Sequence, residues 1–126
     1  MIIRVKDIES VLNSGITMYK LAQEIGVPET AMSHYKRTGK IENMTIARAS
    51  MLMEYAEKIG IEPDNTQVID TDKLYQFIKE EGSKIATARK VGLADYTLKV
   101  YTQKNAELEN MRLRVALKVM DYINSR

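Results

Sequence analysis

The sequence has no cysteine, a single histidine (His34) and no apolar run close to the roughly 20 residues that a membrane-spanning helix needs. Without cysteine the chain can form neither a disulfide framework nor a thiolate metal site. The start "MIIRVKDIES" lacks the apolar segment and the small-residue cleavage site of a secretory signal. We therefore expect a cytoplasmic, unprocessed protein that does not associate with membranes.

Motifs for catalysis and for cofactor binding are also missing. One histidine cannot supply a histidine-based metal site or a Ser–His nucleophile with any redundancy. No glycine-rich phosphate loop or paired-carboxylate motif stands out. We expect a protein that is not an enzyme and that uses no metal, no cofactor and no small-molecule substrate. Its composition, 44% apolar and 29% charged over 126 residues, is that of a soluble globular protein.

The stretch "YKLAQEIGVPETAMSHYKR", residues 19–37, predicts two short helices around a tight turn. Ala22 and Ile25 fall on one helix face, and Gly26 can take the left-handed conformation that ends a helix. Pro28 stands where a second helix can begin with φ already set. The stretch resembles the helix-turn-helix of the Cro and phage-repressor family, with "LAQEIGV" as the supporting helix and turn and "PETAMSHYKR" as the recognition helix. The alternative interpretation is a helical hairpin with no nucleic-acid role.

The same unit occurs a second time in the chain. Gly26 aligns with Gly92 in "TARKVGLADYTLKVYTQK" at an offset of 66 residues, and Ala22 aligns with Ala88. Downstream the offset becomes 67, where "ENM" at 42–44 matches "ENM" at 109–111. Each copy is predicted to contain four helices. The predicted helices are 6–13, 18–25, 29–37 and 44–59 in the first copy, and 72–81, 84–91, 95–104 and 111–124 in the second.

The predicted fold class is all-α, with two tandem four-helix helix-turn-helix units packed as an internal pseudo-dimer. The units are residues 1–60 and 68–126, and residues 61–67 form a linker. A unit of about 60 residues is only marginally stable alone, so we expect the two to bury a shared apolar face. Ahead of each first helix, "MIIRV" matches "TQVID" at the same offset. These segments either pair as a short antiparallel ribbon between the units or act as apolar plugs in the interface.

The formal net charge is only +2, but the charges are unevenly distributed. Residues 83–104 carry five bases and one acid, whereas residues 62–72 carry four acids and no base. Basic residues thus gather on the turn and recognition segments, as expected for phosphate contacts. The alternative is that these charges are simply the solvated outer face of a soluble helical protein.

Outward residues near the start of a recognition helix are the candidates for reading base edges. The base-reading candidates are Glu29, Thr30, Ser33 and His34 in the first unit, and Asp95, Tyr96, Lys99 and Val100 in the second. The phosphate-binding candidates are Thr17, Lys20, Lys36, Arg37 and Lys40 in the first unit, and Ser83, Lys84, Thr102, Gln103 and Lys104 in the second. The two half-sites should differ, because Lys99 can read guanine where Ser33 cannot.

Two repressor-like units in one short chain resemble the small cytoplasmic DNA-binding proteins of Gram-positive conjugative (type IV secretion) transfer systems, the TraN type. The resemblance implies a monomer with internal two-fold symmetry that binds double-stranded DNA near an origin of transfer or a transfer-operon promoter. It also implies a repressor or accessory factor of plasmid conjugation. The second copy departs from the apolar pattern of the turn at two positions, where Thr87 replaces Leu21 and Thr97 replaces Ala31. The competing hypothesis is a phage- or plasmid-encoded inhibitor that binds a host protein through the same scaffold.

Overall fold

A computed structural model describes residues 1–80, 82–103 and 107–126. The described residues form a mostly helical structure with one small sheet, which confirms the predicted helical class at this level. The α-helices are α1 Val5–Leu12, α2 Met18–Ile25, α3 Glu29–Thr38, α4 Ile46–Ile59, α5 Thr71–Glu80, α6 Lys84–Val91 and α7 Leu113–Ser125. The strands are β1 Ile2–Arg4 and β2 Val68–Asp70, and short 3-10 helices lie at Lys99–Thr102 and Leu108–Asn110.

Most helix ends lie where the sequence predicts them. Predicted helices 18–25 and 84–91 are reproduced at both ends, and the others differ by at most two residues, with the exception of 95–104. The Thr17 hydroxyl accepts a hydrogen bond from the Lys20 backbone N–H at 3.1 Å, and the Ser83 hydroxyl accepts one from Ala86 at 3.3 Å. Such caps satisfy N–H groups that have no partner inside the helix. Thr17 and Ser83 are therefore the N-cap residues of α2 and α6.

Helices α2 and α6 each end at a glycine in the left-handed conformation. Gly26 has φ +74° and Gly92 has φ +90°. Their backbone N–H groups donate to the carbonyls of Ala22 at 2.9 Å and Ala88 at 3.0 Å. Because a side chain disfavours this region of φ, glycine lets the chain reverse immediately after the helix.

We expect Gly26→Ala to lower the free energy of unfolding by about 1 kcal/mol, because alanine disfavours the left-handed conformation. A Cβ at this position would meet no atom within 4 Å, so the loss comes from the backbone alone. Urea denaturation followed by circular dichroism measures it. The matched control is Gly82→Ala, where a Cβ also enters open space but φ is not left-handed. Equal losses in the two variants would contradict this account.

Strands β1 and β2 pair as an antiparallel ribbon, with Ile3 opposite Ile69. Of the two alternatives that the sequence left open, the antiparallel pairing is therefore confirmed. Both isoleucines are also fully buried in the core. The backbone hydrogen bonds that extend the ribbon, each 2.9 Å long, run from the Val5 N–H to the Gln67 carbonyl and from the Thr71 N–H to the Met1 carbonyl.

A second backbone pairing joins the starts of α4 and α7. Thr45 lies opposite Arg112 in an antiparallel bridge. The adjoining hydrogen bonds, each 2.8 Å long, run from the Ile46 N–H to the Met111 carbonyl and from the Leu113 N–H to the Met44 carbonyl. We call this pairing the 45/112 bridge. It ties the loop before α4 to the loop before α7.

The ribbon and the 45/112 bridge lie at opposite ends of α4. The Arg4 guanidinium at the end of β1 is 3.9 Å from the carboxylate of Glu57, which belongs to the last turn of α4. Thr45 caps the first turn of the same helix. At 1.5 Å per residue, the two pairings are separated by about 20 Å.

Buried apolar residues from both halves of the chain form one hydrophobic cluster. Large members with no exposed surface include Ile8, Leu21, Met32, Leu52, Leu74 and Leu98. Residues 61–67 contain no helix or strand. The buried carboxylate of Asp7 holds this linker by accepting from the Asp64 backbone N–H at 2.9 Å, while the Arg4 Nε donates to the same carboxylate at 2.6 Å.

The predicted α-helix at 95–104 is wrong for residues 95–103, which form no α-helix. Lys104 lies outside the described residues. The segment forms turns and then the 3-10 helix Lys99–Thr102, with hydrogen bonds spanning three residues such as Tyr101 N–H to Leu98 carbonyl at 3.2 Å. β-Branched and aromatic residues fill the segment, and these favour helix less than the Ala, Met, Lys and Arg of α3. The fully buried Leu98 still anchors the segment in the core.

Candidate nucleic-acid interface

Helix α3 buries one face and presents a polar face to solvent. Met32 is fully buried against the core. Of the predicted base readers, Glu29, Thr30 and His34 are exposed and Ser33 is half-buried. Their spacing of one, three and four residues places all four on one side of the helix. The structure thus brings the first unit's predicted base readers together.

The end of α3 brings a base-reading candidate beside a phosphate candidate. Arg37 Nη2 lies 3.4 Å from His34 Nδ1, and the His34 ring meets the Tyr35 ring edge-on at 6.0 Å between centroids. Lys36 and Lys40 are both exposed, in the last turn of α3 and just after it. The result is a cationic end on α3, as a phosphate-binding segment requires.

The start of α2 supplies the first unit's remaining phosphate candidates. Thr17 and Lys20 are exposed. The Thr17 hydroxyl oxygen accepts the capping bond, and its own proton is still able to donate to a phosphate oxygen. Helix starts commonly hold DNA phosphates in this manner.

The second unit differs at Asp95, which is held by Arg89. Arg89 Nε and Nη2 each donate to one carboxylate oxygen of Asp95 at 2.9 Å. These hydrogen bonds lower the pKa of Asp95 and raise that of Arg89. A bidentate pair of this kind occupies both carboxylate oxygens. The carboxylate of Asp95 thus fixes the turn after α6, and its role as a base reader stays a prediction.

The other outward residues of the second unit lie together on the turns and the 3-10 helix. Lys99 Nζ is 5.7 Å from the centroid of the Tyr96 ring, a cation–π distance. Tyr96 is 63% exposed and Val100 is 47% exposed, which are high values for large apolar side chains. Thr102 and Gln103 are exposed as well. This surface is available to a partner but rests on a shorter element than α3.

Two phosphate candidates near α6 have structural roles. The Lys84 ammonium, on a half-buried residue, donates to the Ile78 carbonyl in α5. Ser83 caps α6. Thr87, in place of the apolar Leu21, is buried and donates its hydroxyl proton to the Ser83 carbonyl at 2.8 Å. The polar Thr87 is thus accommodated within α6. Lys84 is the weakest of the phosphate-binding candidates, because its ammonium already donates to the Ile78 carbonyl.

Sequence reasoning missed two arginines beside α3. Arg112 and Arg114, just before α7 and in its first turn, are exposed and face a groove at the end of α3. At the offset of 67 they align with Thr45 and Ala47, which are uncharged. A search for charges present in only one copy would have found them.

The chain matches no protein-family model, no curated protein and no solved structure. Within residues 1–80, 82–103 and 107–126, no helix has the length and apolar character to cross a bilayer. In the same residues, no three His, Asp or Glu side chains group as metal ligands.

Proposed function

We propose that the chain is a sequence-specific double-stranded DNA-binding protein built from two helix-turn-helix units related by an approximate two-fold axis. One molecule would contact two half-sites on one face of the duplex, as a repressor dimer does. Helix α3 enters one major groove, and the segment 96–103 approaches the next. The observation that carries the proposal is the exchange of hydrogen bonds between equivalent residues of the two copies.

The ribbon provides the first such exchange. Val5 donates to Gln67, and Thr71 donates to Met1. Val5 and Thr71 are 66 residues apart, and so are Met1 and Gln67, which is the offset of the sequence repeat. Replacing the donor and the acceptor of one hydrogen bond by the equivalent residues of the other copy therefore gives the other hydrogen bond. Such reciprocity is the property of an isologous, two-fold interface.

The 45/112 bridge provides the second exchange. Ile46 donates to Met111, and Leu113 donates to Met44. Both pairs of equivalent positions, 46 with 113 and 44 with 111, are related by the downstream offset of 67. Two such exchanges about 20 Å apart support an approximate two-fold axis more strongly than one contact would.

The chemistry of α3 favours DNA over other partners. Its outward side chains offer a carboxylate, hydroxyls and an imidazole near the start, which suit base edges, and cations near the end, which suit phosphates. Lys99 and Tyr96 give the second unit a different set of contacts. The half-sites should accordingly differ in sequence.

The proposed biological role rests on the resemblance to conjugative transfer proteins. We propose a cytoplasmic, non-enzymatic repressor or accessory factor of plasmid transfer that acts as a monomer. Selection of bound duplexes from a random pool tests DNA recognition directly. A recovered motif supports the proposal, whereas the absence of any motif favours the inhibitor of a host protein.

A duplex titration at several salt concentrations should give a slope of log affinity against log salt of about −4 to −5, from four to six phosphate contacts at about −0.9 each. Arg37→Ala should make the slope less steep by about 1. Lys73→Gln is the control, because Lys73 is exposed beside the β1–β2 ribbon. A flat response in the wild type would exclude binding through phosphates.

A further inference from the structure

A polar groove of about 620 Å³ runs between the end of α3 and the start of α7. The residues that line it include His34, Thr38, Lys40, Glu42, Arg112 and Arg114. Three basic side chains, Lys40, Arg112 and Arg114, thus share the groove with one carboxylate, that of Glu42. The two arginines belong to neither set of DNA-contact residues predicted from the sequence. The groove lies beside the 45/112 bridge, because Arg112 forms part of both.

The two arginines are positioned differently. Arg112 Nη1 donates to the Asn43 carbonyl at 2.6 Å, which fixes its guanidinium across the joint between the copies. The Arg114 backbone is held by a 3.0 Å hydrogen bond to the Glu42 carbonyl. Its exposed guanidinium has no hydrogen-bond or ion-pair partner among the described residues. One arginine is anchored and the other is available to a ligand.

Arg114 also connects the groove to the second unit. It lines a second groove with Leu93 and Thr97, next to the turn that follows α6. Positive charge therefore continues from the end of α3, past the 45/112 bridge, to the second helix-turn-helix turn. In the proposed function, a duplex that contacts both units would pass over this path.

We infer that Arg112 and Arg114 contact the minor groove at the centre of the bound duplex and favour A·T base pairs there. The inference rests on the proposed function, in which the two-fold axis passes between Thr45 and Arg112. Between two successive major grooves on one face of B-DNA, the minor groove faces the protein. A·T-rich minor grooves are narrow and have an enhanced negative potential that attracts arginine.

The contact is one-sided. The equivalents of the two arginines in the first copy are Thr45 and Ala47, which carry no charge. The third cation, Lys40, follows α3. All three cations line the groove at the end of α3, and no equivalent charges occur at Thr45 and Ala47, so the A·T preference should be displaced toward the half-site that α3 reads.

The test uses the duplex recovered by selection, with its four central base pairs set to AATT or to GGCC. The wild-type chain should bind the AATT duplex about 10-fold more tightly, because the narrow groove attracts the guanidinium groups. Arg112→Gln/Arg114→Gln should reduce this ratio to below about 2-fold. Lys73→Gln, which removes one charge at the ribbon end, should keep the wild-type ratio. Hydroxyl-radical protection of the central minor groove should disappear in the double variant alone.

Arg114→Gln serves as a second variant, because its side chain makes no contact that folding needs, and its circular dichroism melt should equal that of the wild type. It should lower the AATT preference at least 2-fold. An unchanged ratio in a folded Arg114→Gln and in the double variant overturns the inference while DNA binding stands. If the wild type binds no duplex at all, the proposed function and the inference fail together.

Discussion

Under the proposed function, inserting five base pairs between the two half-sites should lower affinity for the duplex by about 10²–10⁴-fold, the gain that two linked binding units normally provide. Five base pairs are half a helical turn, so the second half-site would move to the opposite face of the DNA. In the proposed arrangement, the ribbon and the 45/112 bridge hold the two units together at both ends of α4, so neither unit can move to reach the displaced half-site. A fluorescence titration with the original and the spaced duplex measures the effect.

The control for this experiment inserts the same five base pairs outside the protected site, which should be about 15–20 bp long for half-sites one turn apart. Affinity should then equal that of the original duplex. If the duplex with the internal insertion binds as tightly as the original, the units act independently or only one of them touches DNA. The internal-dimer mechanism would then be wrong.

Local sequence signals were sufficient to predict the helix ends at Gly26 and Gly92, and they offered the ribbon as one of two alternatives. Gly26 and Gly92 end their helices because their backbone geometry is set within a few residues, and Thr17 and Ser83 cap helices by contacts to residues three positions ahead. The ribbon was predicted from two β-branched segments at the repeat offset. The pairing partner of each segment was identifiable because the two segments stand at the same offset as the rest of the sequence repeat.

Features that depend on the competition between local preference and tertiary contacts were not predictable. Periodicity alone suggested a helix at 95–104, since Leu98 stands where Met32 does, but weak helix formers let the chain take a 3-10 form around the same buried anchor. The Arg89–Asp95 pair joins residues on either side of a turn, so its geometry follows from the turn. Arg114 reaches the first unit only through the packing of α7.

The two isoleucines at the centre of the ribbon give the largest expected effect on stability. Ile69→Ala should lower the free energy of unfolding by about 2–5 kcal/mol, the usual cost of removing a fully buried isoleucine. Total stability for a domain of this size is about 5–15 kcal/mol, so the variant would lose a large part of it. The cost is high because Ile69 and its partner Ile3 both have no exposed surface.

Urea denaturation followed by circular dichroism and by tyrosine fluorescence should give one transition, shifted as a whole in Ile69→Ala, because the buried residues of both units form a single cluster. The control is Ile2→Ala on the neighbouring position of β1, which is 40% exposed and should change stability by less than about 0.5 kcal/mol. Since residues 3 and 69 meet on the proposed axis, Ile3→Ala should cost about as much as Ile69→Ala. Two separate transitions, only one of them moved by the substitution, would mean that the units fold independently and that the ribbon does not couple them.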